Sequence, residues 1–107
     1  MTGAPAIRLS ADDVGSICDA FEYLRSTDSS LTEPQVELHV KLRALETEDG
    51  FPEFDVSADE AQTAAETVAQ THAVLLSQWP AWKQDRFKDR LDELQRLAQR
   101  LRDAARS

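Results

Sequence analysis

The stretch Gln35-Val36-Glu37-Leu38-His39-Val40-Lys41-Leu42-Arg43-Ala44 decides the fold. Val36, Leu38, Val40 and Leu42 alternate with Glu37, His39, Lys41 and Arg43. Strict alternation marks a half-buried strand, because successive side chains leave a pleated chain on opposite faces. Wound as a helix at about 100° per residue, the same letters set the Leu pair opposite the Val pair. The spacing therefore predicts a strand over 35–44, with Pro34 at its start, where a missing amide is tolerated. One local signal competes. Leu31-Thr32-Glu33-Pro34-Gln35-Val36 has the form of a capping box with proline in the first helical turn. If that signal prevails, the alternative fold is an all-α bundle.

Downstream, Glu46-Thr47-Glu48-Asp49-Gly50 reads as a turn and Phe51–Val56 as a second strand, irregular at Pro52, giving a hairpin over 35–56. Upstream, Val14, Ile17, Cys18, Phe21 and Leu24 recur at helical spacing, which predicts a helix over 11–26. The alanine-rich run predicts another over 58–79. Pro80 breaks it, and a final helix over 80–106 follows. Ile7-Arg8-Leu9-Ser10-Ala11-Asp12-Asp13-Val14 is echoed by Phe54-Asp55-Val56-Ser57-Ala58-Asp59-Glu60-Ala61. Each segment reads as strand, then N-cap serine, then helix, with an acid three residues after the cap. The expected fold is α+β, in the order strand-helix-strand-strand-helix-helix. A small two- or three-stranded sheet carries a long C-terminal helical hairpin, within a single domain spanning 1–107 whose residues 1–10 form an N-terminal arm or strand.

With 107 residues, the chain fits one domain with a modest core. No apolar run approaches the roughly 18 residues of a membrane span, so no membrane association is expected. A single cysteine closes no intramolecular disulfide, and the N-terminus lacks secretory character, so a cytoplasmic location is expected. The formal charge of −8 disfavours direct nucleic-acid binding, because phosphates reward cationic surfaces.

Chemistry-bearing residues are few. Cys18, His39 and His72 show no pair at metal-ligand spacing, and the Gly50 turn puts Leu45 and Thr47 where a calcium loop needs oxygen ligands. No metal and no cofactor is expected. Cys18 falls on an apolar helix face as a small core filler, His72 within an apolar stripe, and His39 on the polar face of the expected strand. There is no phosphate-cradling glycine loop and no nucleophile elbow. No catalytic residues are assigned, and an enzyme is the minority reading.

Charge supplies the functional clue. Residues 1–78 carry a net −11 and residues 79–107 a net +3. Glu46, Glu48, Asp49, Glu53, Asp55, Asp59 and Glu60 place seven negatives in one stretch without Lys or Arg. Such a field attracts a basic protein surface, including one that otherwise binds nucleic acid. These seven acids, with Trp82 as an aromatic anchor, form the expected partner-binding site of a small noncatalytic module of inhibitor, immunity or adaptor type. Phe87, Leu91, Leu94, Ala98, Leu101 and Ala105 alternate spacings of four and three, the seam of a coiled coil. Phe87, Leu91, Leu94 and Leu101 are accordingly the candidate homodimer seam, and a structural self-assembling component is the alternative function.

Overall fold

The computed structural model describes residues 7–27, 30–50 and 52–106. Its elements are β1 (Ile7–Leu9), α1 (Ala11–Ser26), α2 (Glu33–Leu45), β2 (Phe54–Val56), α3 (Ala58–Gln78), α4 (Ala81–Arg86) and α5 (Lys88–Arg106). The protein is mainly a helical assembly with one antiparallel two-stranded ribbon. Residues 1–6 of the expected N-terminal arm and Phe51 of the expected second strand lie outside the described residues.

The decisive stretch is a helix, which corrects the strand expected over 35–44. Thr32 Oγ1 accepts from the Gln35 amide, and the Gln35 side chain accepts from the Thr32 amide, completing the capping box. Pro34 sits in the first turn, where its missing amide costs nothing. Helical winding does separate the two apolar pairs. Leu38 and Leu42 are 4% and 1% exposed, whereas Val36 and Val40 are 47% and 63% exposed. The chain accepts two exposed valines and fills the inner face with Gln35 and His39 as well. Alternation therefore arises here from two i, i+4 pairs on opposite sides of a helix.

The expected hairpin over 35–56 is consequently absent. β2 pairs instead with β1, in the register Ile7↔Val56, Arg8↔Asp55 and Leu9↔Phe54. The two echoed segments are thus each other's strand partners. The turn at 46–50 does form: the Thr47 and Gly50 backbones exchange hydrogen bonds of 2.8 and 3.1 Å. Gly50, at φ 113°, supplies a backbone conformation that side chains resist. That turn joins a helix to the ribbon, so the order strand-helix-strand-strand-helix-helix does not hold.

Both helix starts follow their sequence signals. Ser10 Oγ accepts from the Asp13 amide, and Ser57 with Glu60 forms a reciprocal capping box. α3 packs against α1, α2 and α5, so it is the centre of the assembly. Ala61, Ala64, Ala65 and Val68 give it a low-relief buried surface, and Phe21, Ile17, Leu42 and Leu101 belong to the same core. The final helix expected over 80–106 is divided at Phe87 into α4 and α5. Trp79 and Phe87 hold this corner, ring centroids 5.5 Å apart, and Gln84 donates to the carbonyls of Leu76 and Trp79.

Candidate functional site

The seven acids of 46–60 are at the surface, but they do not form one uninterrupted lobe. Asp49 borders a groove between α1 and α5, beside Asp12, Asp13 and Asp19. Asp59 and Glu60 border a separate hollow with Pro34, Glu37, Leu38, Lys41 and Thr63. Basic residues from outside the stretch meet several of the acids. Arg8 pairs with Glu53 at 3.0 Å and with Asp55 at 2.7 Å across the ribbon. Arg43 pairs with Glu46 at 2.9 Å and Lys41 with Glu60 at 2.8 Å. Although partial burial opposes ionisation of Glu60, the hydrogen bonds from Lys41 and Ser57 hold its carboxyl below the ordinary value. Glu48, Asp49 and Asp59 make no ion pair among the described residues.

Trp82 does not join those acids. It lies on α4, which follows the C-terminal end of α3, whereas Glu53, Asp55, Asp59 and Glu60 lie on the residues that lead into and open α3. The 21 residues of α3 span about 31 Å. Trp82 is 65% exposed, and α4 buries none of its residues. The candidate seam divides as well. Leu91, Leu94 and Leu101 are buried in the core that α5 shares with α3, and Phe87 is partly exposed beside Trp79. The three leucines therefore make an intramolecular contact within this chain's core.

The structure also assembles residues that sequence spacing leaves apart. Cys18 Sγ, a carboxylate oxygen of Glu22 and a ring nitrogen of His39 lie within 4.8 Å of one another. α1 supplies the first two at i and i+4, one turn apart on the same side, and α2 supplies the third. The i, i+4 spacing is visible in the sequence, but a strand over 35–44 turns the histidine away from it. Cys18 and His39 are buried, and Glu22 is exposed. Phe21 stacks on His39, and His39 Nε2 is buried with no hydrogen-bond partner among the described residues.

Electrostatics keep this cluster protonated at the sulfur and neutral at the ring. Burial pushes the Cys18 thiol up to about 11, with Glu22 adding to the shift and Arg43 opposing it. A thiol so raised is a poor nucleophile near neutrality. Burial, aided by the positive charges of Arg25 and Arg43 and opposed by Glu22, lowers the basicity of His39. Arg43 donates to Glu22 at 2.8 Å. A hollow of about 470 Å³ bordered by Glu22, Arg25, His39, Val40 and Arg43 opens beside Glu22 and His39, and Cys18 does not line it.

A surface groove of about 690 Å³ between α1 and α5 mixes signs. Arg100 pairs with Asp13 at 2.9 Å and Arg90 approaches Asp19 at 3.9 Å, so α1 and α5 are bridged by charge across it. Among the described residues, no helix is long and apolar enough to cross a membrane. Comparison with protein-family models, curated proteins and solved structures returns no match to this chain.

Proposed function

We propose that the chain is a small acidic, noncatalytic module that binds a basic protein surface through the face around residues 46–60. The observation supporting this reading is the excess of acid left after internal pairing. Three cations, Arg8, Lys41 and Arg43, meet four of the seven acids, and Glu48, Asp49 and Asp59 stay exposed without an ion pair among the described residues. Exposed ion pairs hold their partners weakly, so the paired acids also remain available to an incoming guanidinium or ammonium. The face consequently retains a negative field that speeds association with a cationic surface and weakens as salt shortens the Debye length.

The test compares the full-length chain with a Glu48→Lys/Asp49→Lys variant, each immobilised and challenged with the same cell extract, after circular dichroism confirms equal helicity. A specific protein of basic surface that elutes from the wild-type column with rising salt, and is not retained by the variant, supports the reading. Equal retention by the two columns, or retention insensitive to salt, overturns it.

A further inference from the structure

We propose that Cys18, Glu22 and His39 form a three-ligand site for a thiophilic divalent cation of the zinc class, with a fourth coordination position open to solvent. Two independent observations support it: the three donor atoms converge from two helices, and the convergence includes a histidine that is only 4% exposed and whose Nε2 has no partner among the described residues. A buried imidazole nitrogen without a hydrogen bond bears its desolvation cost uncompensated, and coordination through Nε2 removes that cost.

The donor set selects the ion. One thiolate, one imidazole and one carboxylate suit zinc, whereas calcium and magnesium require oxygen ligands throughout. Three protein ligands with an open fourth position is the arrangement of accessible zinc sites, in contrast to the four protein ligands of closed structural ones. The hollow bordered by Glu22, Arg25, His39, Val40 and Arg43 opens beside two of the three donors, Glu22 and His39, and this is the side assigned to the fourth position. Donor atoms around tetrahedral zinc lie roughly 3.3–3.8 Å apart. The donors already lie within 4.8 Å of one another, so binding draws them together by no more than about 1.5 Å, and Glu22, the exposed member, contributes through its own rotamers.

Binding replaces one cation by another. Arg43 now supplies positive charge to Glu22 and keeps a second carboxylate, Glu46, at 2.9 Å, onto which it can withdraw. The Cys18 S–H bond breaks as the S–Zn bond forms, and the proton leaves to solvent. Proton release makes binding tighten as pH rises. The groups facing the cluster are Asp19 and Glu22 on α1 and Arg43 on α2 at the thiol, with Arg25 on α1 beside the imidazole.

The experiment titrates the full-length protein with Zn²⁺ by calorimetry and with Co²⁺ by absorption spectroscopy, alongside Glu22→Gln and Cys18→Ala. Expected are one equivalent bound by the wild type and a near-ultraviolet thiolate-to-cobalt band that Cys18→Ala abolishes. Glu22→Gln should weaken Zn²⁺ binding by at least the roughly 10–100-fold that loss of a ligand's hydrogen-bonded support costs. Glu22 is exposed, so this variant decides the matter even if Cys18→Ala fails to fold. A wild-type affinity no tighter than millimolar overturns the site. So does Zn²⁺ binding of equal strength in Glu22→Gln, which assigns the metal to surface carboxylates, or a cobalt complex without the thiolate band.

Discussion

Phe21 and His39 stack face to face across the α1–α2 contact, ring centroids 5.1 Å apart and planes inclined by 16°. The imidazole is therefore part of the packing of the core, and protonating it places a charge against the phenyl face in surroundings that already contain Arg25 and Arg43.

Stability should fall as the solution is acidified below the ordinary histidine range. Burial, with the nearby Arg25 charge, depresses the folded-state pKa of His39, so the unfolded chain binds the proton more readily. The contribution is fully present above about pH 6.5, the unfolded value, and is lost as pH falls through the lower folded value. Urea titrations of the wild type and of His39→Gln across pH 5–7 should differ in slope, the wild type losing more. Parallel slopes would show that His39 titrates alike in both states.

Capping should decide whether α2 forms. Thr32→Ala removes the acceptor for the Gln35 amide and is expected to cost about 0.5–2 kcal/mol. Gln35→Ala should cost more, because Gln35 Nε2 also donates to Thr67 Oγ1 at 3.0 Å inside the α2–α3 contact. Denaturant midpoints rank the two, and a smaller loss for Gln35→Ala contradicts this account of the cap.

The seam of α5 and the tryptophan of α4 should respond in opposite ways. Leu94→Ala vacates a buried position in the core shared with α3 and is expected to cost about 2–5 kcal/mol, independent of protein concentration. Trp82→Ala removes an exposed ring and should change stability by less than about 0.5 kcal/mol. Thermal melts at several protein concentrations separate these outcomes; a concentration-dependent melt for Leu94→Ala would mean that the seam spans two chains.

Signals confined to one turn are legible in the sequence. The caps at Ser10 and Ser57, the break at Pro80 and the turn at Gly50 all form, because each depends on neighbours within four residues. The stretch 35–44 defeats sequence reasoning because two patterns in the same letters compete. Alternation in Val36, Leu38, Val40 and Leu42 points to a strand, yet the capping chemistry of Thr32 and Gln35 prevails and the helix leaves Val36 and Val40 in water. The consequences of that one choice spread. A strand there puts His39 on an outward face, away from Cys18, and gives β2 the wrong partner. Pairing of the acids is illegible for a different reason: Arg8 is 47 residues from Asp55, and only the ribbon brings them together.

The low relief of α3 has a further consequence. Ala61, Ala64 and Ala65 present little more than a methyl group each to the helices packed around them. Enlarging one of them would act as a wedge, prying its neighbours apart. Resistance to substitution in this protein should therefore concentrate along its plainest side chains, where nothing polar or reactive hints that anything is at stake.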